Sequence, residues 1–165
     1  MATYKIIPSS SKKFMLTRDE VPAGELTYTN WTNSKADIVL ADGTVFKLAP
    51  KGTWQTSTEI SRDGVPLFSY KLGWNGVIIK SMDVIPHTYR LKNKGFWKSM
   101  YVLLDESDQE LLLIESTFKW KGMKTERTLT PSITFEKKTN KELLMLICAC
   151  AVNYQQHTAA VIAST

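Results

Sequence analysis

Leu143-Leu144-Met145-Leu146-Ile147-Cys148-Ala149-Cys150-Ala151-Val152 is an uninterrupted apolar run. Good helix formers lead it and neither Pro nor Gly breaks it, so it predicts a helix. A helix that is apolar all round offers no face to water and has to be enclosed on every side. The material available to enclose it is residues 3–135, which read as short strands and turns. The simplest construction is an antiparallel barrel threaded by its own last helix, expected over about residues 140–162. Asn140 is the expected N-cap, with Glu142 in the first turn where a carboxylate suits the helix dipole.

Working back from the helix, Asp42-Gly43, Asp63-Gly64 and Asn75-Gly76 are two-residue hairpin signals, because such pairs accept the positive φ these turns demand. The runs between and beyond them are rich in β-branched and aromatic residues. They predict strands over 3–7, 13–16, 25–31, 36–41, 44–48, 53–60, 66–72, 77–81, 89–91, 97–104, 110–120 and 127–135. Leu112, Ile114, Phe118 and Trp120 share one face of their strand, as a half-buried strand requires. Eight strands would leave room only for side chains, so a lumen admitting a helix about 10–12 Å wide calls for eleven or twelve. The hairpin around Asp42-Gly43 is similar to that around Asp105–Asp108, which leaves a weak duplication and mere hairpin likeness both open.

A chain of 165 residues fits one domain, 1–165, able to bury a core without staples. Its 43% hydrophobic and 22% charged content is ordinary for a globular protein, and its net charge of +5 tilts it toward anionic partners. The N-terminus lacks the pattern of a secretory signal, so a cytosolic location is expected and Asn30-Trp31-Thr32 is a chance glycosylation triplet. A spanning helix needs about 20 apolar residues, whereas ten at about 1.5 Å rise reach only about 15 Å. Asn153, Gln155, Gln156 and His157 interrupt the run before Ala159–Ala163 resumes it weakly.

The hairpin series, the Leu104-Asp105 to Glu110-Leu111 turn pattern and the terminal apolar helix together resemble the tubby C-terminal-like superfamily. That superfamily includes the tubby domains, phospholipid scramblases, plant LURP-one-related proteins and small bacterial relatives. The resemblance is architectural and covers Tyr4 to about Ala160. It implies a twelve-stranded barrel around a central helix, acting at membranes or as a non-enzymatic binding module. Tubby domains bind phosphoinositides; no position of that site is carried over to residues here.

Motifs for catalysis or metal binding do not emerge. Cys148 and Cys150 lie about 200° apart on a helix and cannot converge on one ion, and His157 is about 10 Å further along. They read as core. His87 follows Pro86 in a loop, without an acid or nucleophile nearby in sequence, and Asp105, Glu106 and Asp108 lack the ligand spacing of a calcium loop.

One constellation is basic and aromatic. Arg90, Lys92, Lys94 and Lys98 surround Phe96 and Trp97, and Lys119, Lys121, Lys124 and Arg127 surround Trp120 and Met123. Lysines near an anionic leaflet contribute about 1 kcal/mol each, and tryptophan inserts at the interface beside them. The competing reading is solvated lysines on strands whose aromatics fill the core. The expectation is a non-catalytic binding module, without cofactor or metal, that engages anionic phospholipid or a protein partner through the outer barrel surface. Nucleic acid is the less favoured use of the same charges. The alternative is an enzyme or small-ligand carrier with its site at one mouth, near His87 or His157.

Overall fold

The structure, a computed structural model, describes residues 2–54, 56–95 and 99–164; for residues 158–163 it describes the helical backbone alone. Twelve strands run in sequence order: β1 (Tyr4–Pro8), β2 (Lys13–Arg18), β3 (Val21–Tyr28), β4 (Ala36–Leu40), β5 (Val45–Lys51) and β6 (Ser57–Arg62), then β7 (Val65–Gly73), β8 (Gly76–Ser81), β9 (Thr88–Asn93), β10 (Met100–Leu104), β11 (Glu110–Lys119) and β12 (Lys124–Pro131). Two helices follow, α1 (Ile133–Glu136) and α2 (Lys141–Ser164). Each strand pairs antiparallel with its neighbours in sequence, and β1 closes the ring against β12 through Tyr4↔Leu129 and Ile6↔Arg127. The expected closed twelve-stranded barrel is what the chain forms.

Side-chain alternation directs one face of every strand inward, and cross-strand partners build continuous apolar rows. Leu48, Ile60 and Phe68 face one another across β5, β6 and β7, and Leu91, Leu103 and Leu112 do so across β9, β10 and β11. All six are buried. Outward positions such as Glu25, Thr27, Asp37, Ser61, Lys92, Glu126 and Thr128 are polar, the reverse of a lipid-embedded barrel wall.

α2 fills the lumen. Leu143 through Val152 are each at most 5% exposed, so the run is enclosed around its whole circumference. The carbonyl of Asn140 accepts the first helical bond, from the Leu144 N–H, which places Asn140 at the N-cap. No helix among the described residues is long and apolar enough to cross a membrane.

Local structure departs from expectation in several places. Asp63-Gly64 is a two-residue turn with φ of 51° and 79°. At Asn75-Gly76 the turn sits one residue earlier, because Gly73 pairs with Gly76 and leaves Trp74-Asn75 as the loop. Around Asp42 the loop takes three residues, 41–43, closed by a Gly43 N–H to Leu40 carbonyl bond. A further two-residue turn, Asp19-Glu20, links β2 to β3 with φ of 49° and 68°, and without glycine it gave no signal. The expected strand 127–135 starts earlier, at Lys124, and stops at Pro131, where Ser132 caps α1 by accepting from the Phe135 N–H. Phe135 turns into the core, while Tyr4 donates a 2.7 Å bond to Glu136 and fastens this end of the barrel.

Candidate functional site

In an antiparallel ring of consecutive strands, connections alternate between the two ends of the barrel. Those leading from odd to even strands therefore share one end; their described residues are 9–12, 29–35, 52–54 and 56, 74–75, 94–95 and 99, and 120–123. α2 enters the lumen at the opposite end, after β12, and its C-terminal half emerges among these six connections.

Every tryptophan among the described residues belongs to this set: Trp31, Trp54, Trp74 and Trp120. The four within the described residues are at least 81% exposed. Phe118 and Met123 are exposed beside them, and Phe118 meets Trp120 edge-on at 5.2 Å. The described residues of these six connections include no Asp or Glu, whereas Lys12, Lys35, Lys94 and Lys121 lie within them. The five connections at the other end hold Asp19, Glu20, Asp42, Asp63, Asp83, Asp105, Glu106 and Asp108, half of the chain's 16 acids, with no Trp, Lys or Arg. That acidic end also exposes Met82, Val84 and Ile85, and α1 and its flank bring Lys137 and Lys138 to it.

The basic and aromatic residues singled out in the sequence divide in this geometry. Trp97 and Lys98, with Phe96, lie outside the described residues. Arg90 pairs with Asp108 at 2.6 Å and Lys94 with Glu110 at 2.9 Å, so acidic partners already answer both charges. Lys92, Lys119, Lys121 and Lys124 make no ion pair among the described residues. Lys119 and Lys124 face each other as cross-strand partners in the β11–β12 hairpin. Lys12 reaches across to the carbonyls of Asn30 and Trp31 and to Asn33, pinning the loop that presents Trp31.

Arg127 does not join the outer surface. It shares the inward face of β12 with Leu129 and is 6% exposed. Its Nη2 donates to Asn153 Oδ1 at 2.7 Å and more weakly to Gln156 Oε1 at 3.4 Å, while its Nε has no partner. Burial pulls its pKa below the ordinary arginine value. Asn153 in turn donates to the Tyr28 hydroxyl at 2.9 Å, Tyr28 donates to Cys150 Sγ at 3.6 Å, and Tyr70 lies 3.3 Å from the same sulfur. The polar stretch that interrupts the apolar run thus begins inside the barrel, tied to β3, β7 and β12. Burial raises the pKa of Tyr28, Tyr70, Cys148 and Cys150, so these hydroxyls and thiols are held in their neutral form.

Several cavities open at the tryptophan end, among them one of about 450 Å³ at Trp74, Arg90, Lys92 and Gln155 and two that Phe14 borders. One of these two, of about 610 Å³, lies between the Trp31 loop and α2 and includes Phe14, Tyr28, Asn153 and His157. The other, of about 410 Å³, is lined by Ile6, Pro8, Ser10, Ser11, Phe14, Met123, Lys124, Thr125 and Arg127. His87 lies at the acidic end, half exposed and 3.8 Å from Glu106, remote from these cavities. No cluster of three metal-ligating side chains occurs among the described residues.

Charge grouping along the sequence does not find the exposed tryptophans, since Trp31, Trp54, Trp74 and Trp120 are separated by 23, 20 and 46 residues. The usable signal is parity: each described tryptophan falls in a connection that precedes an even-numbered strand. Comparison with family models, with curated proteins and with solved structures gives no match, and none identifies a tubby-like superfamily.

Proposed function

We propose that the protein is a non-catalytic module that docks on an anionic phospholipid surface through the tryptophan-bearing end of its barrel. The observation that carries this reading is the segregation of the four described tryptophans to an end whose described connections hold lysines and no acid, while half the acids crowd the opposite connections. A folded protein gains nothing internally from large aromatic side chains held in water, so an exposed ring of them calls for a partner that takes them up. Interfacial tryptophan beside lysine is the pairing that headgroups and the acyl boundary accept together.

Magnitudes favour joint use of both residue types. Lys92, Lys119, Lys121 and Lys124 at about 1 kcal/mol each supply about 4 kcal/mol, equivalent to a dissociation constant of about 1 mM. Half-burying one tryptophan adds about 2 kcal/mol by area, so two inserted rings carry binding toward the micromolar range. The same end serves a peripheral protein on a cytoplasmic leaflet, whose surface is negative. Kinship with the tubby-like superfamily belongs to this proposal and rests on the barrel-and-helix plan alone.

The test is co-sedimentation with phosphatidylcholine vesicles, with and without 30% phosphatidylglycerol, followed by tryptophan emission. Binding to the anionic vesicles alone, a blue shift on binding and release by salt are expected. Changing Trp31, Trp54, Trp74 and Trp120 together to Ala should abolish binding while leaving the melting temperature in place. Unaltered vesicle binding by that variant, or no binding by the parent at low salt, rejects the reading.

A further inference from the structure

The geometry points to a phosphate-monoester pocket at the docking end, with Arg127 as its buried cation and Lys124 as its second charge. This rests on the docking reading and specifies what that end would select. Arg127 is a guanidinium almost wholly removed from water, with no carboxylate paired to it among the described residues and with Nε unbonded. Its described bonds all leave from Nη2 and end on neutral amide oxygens. Directly across the β11–β12 ladder stands Ser116, whose buried Oγ is also without a partner. An isolated buried charge is costly, and a bound anion is the usual means by which one is answered.

The cavity against which Arg127 is set has the donors for that anion. Lys124, Ser10, Ser11, Thr125 and Arg127 all contribute to its wall, most of whose open surface is apolar. Two cations and three hydroxyls exceed what the two oxygens of a carboxylate can accept. They match a phosphate monoester, which carries close to two negative charges and three terminal oxygens. Ile6, Pro8, Phe14 and Met123 complete the wall with apolar surface suited to the carbon side of an esterified phosphate. The phosphate could reach the pocket as a lipid headgroup or as a soluble ester, and the chemistry of capture is the same.

The two sources separate in experiment. Full-length protein is titrated with phosphatidylcholine vesicles containing phosphatidic acid, a monoester, or phosphatidylglycerol, a diester, adjusted to equal surface charge. Inorganic phosphate is titrated separately by thermal shift. Binding about tenfold tighter to phosphatidic acid is expected, with millimolar inorganic phosphate erasing the preference but not the binding to phosphatidylglycerol. Arg127→Gln should remove the preference and leave phosphatidylglycerol binding within about twofold. Since Arg127→Gln can disturb the interior, Thr125→Glu at the exposed cavity wall is the second variant. Its carboxylate should occupy the site, eliminate both the preference and the phosphate-induced shift, and keep the protein folded. Stabilisation by inorganic phosphate with no preference between vesicles supports the pocket and assigns it to soluble esters. Absence of both the preference and the phosphate shift in the parent protein overturns the pocket, while retained phosphatidylglycerol binding leaves the docking reading intact.

Discussion

Gly24 on β3 faces Leu146 on α2 so closely that a β-carbon added to the glycine would lie 2.8 Å from Leu146 Cδ1. Here the helix and the barrel wall approach to the limit set by a missing side chain. Gly24→Ala should therefore cost about 1–3 kcal/mol, the usual range for overpacking. In a Leu146→Ala background the same change should cost less than about 0.5 kcal/mol, because the obstructing methyl is gone. Equilibrium urea unfolding of the four proteins of this cycle measures the coupling, and additive costs would contradict the contact.

Leu146 also tests the enclosure of the helix. Leu146→Ala alone should cost about 2–5 kcal/mol. Leu146→Asp places an unpaired charge where the leucine is fully buried and should abolish soluble folding. Recovery of Leu146→Asp as a soluble protein with a cooperative melt would contradict a helix enclosed by the barrel.

The Asp19-Glu20 turn stores strain that a single substitution can release. Glu20 holds φ at 68° with a β-carbon present, whereas the equivalent position of the β6–β7 turn is Gly64. Glu20→Gly should raise stability by about 0.5–1 kcal/mol, after allowance for the freer unfolded glycine. For a chain of this size that is a rise of about 1–4 °C in melting temperature. A fall on calorimetry would show that the glutamate side chain contributes more than its backbone strain removes.

The buried thiols make stability fall at alkaline pH. Burial pushes the Cys148 thiol from an ordinary value of 9.0 up to about 12. Below pH 9 the folded and unfolded chains both keep this proton. Between about 9 and about 12 the unfolded chain releases it first, so the unfolded state is favoured by up to about 1.4 kcal/mol per pH unit. Cys150, Tyr28 and Tyr70 shift in the same direction, so their contributions add to the loss. Urea midpoints should be level near neutrality and drop steeply above pH 9, and the folded protein should label slowly with thiol reagents. A flat alkaline profile or rapid native labelling of both cysteines would place the thiols outside the core.

Lys119 and Lys124 offer a separation of stability from binding. As like charges directly opposite each other they weaken their hairpin, so Lys124→Glu should stabilise the protein by about 0.2–1 kcal/mol. The same change reverses a charge at the docking end and should weaken binding to phosphatidylglycerol vesicles severalfold. Parallel melting and co-sedimentation measurements check the pair; tighter vesicle binding by Lys124→Glu would remove this hairpin from the interface.

The barrel was legible because its two signals are local. The unbroken run 143–152 announces enclosure, and alternation at Leu112 and Ile114 announces inward and outward faces. Asn75-Gly76 shows where a local signal misleads. Gly76 is required less for the turn than for packing, since a β-carbon there would lie 2.1 Å from the Leu91 carbonyl oxygen. The site was harder because its residues meet only after ring closure. Arg127 sat among lysines in sequence and was grouped with them by charge, although its two-residue spacing from the inward Leu129 assigns it to the lumen. Lysines adjoin Trp120 in sequence but not Trp31, Trp54 or Trp74, so local charge does not reveal the grouping that the fold makes of these four.

Closure of β1 on β12 before α2 appears in the chain gives synthesis a peculiar order. The strands whose inward faces line the lumen all precede in the chain the segment that covers them, so during synthesis they are made before their filling. Folding is then governed by contacts between the most distant parts of the chain, which is slow and exposes apolar surface to aggregation. Supplying α2 early, by circular permutation that places it ahead of β1, would reverse that order and should lessen dependence on chaperones during expression.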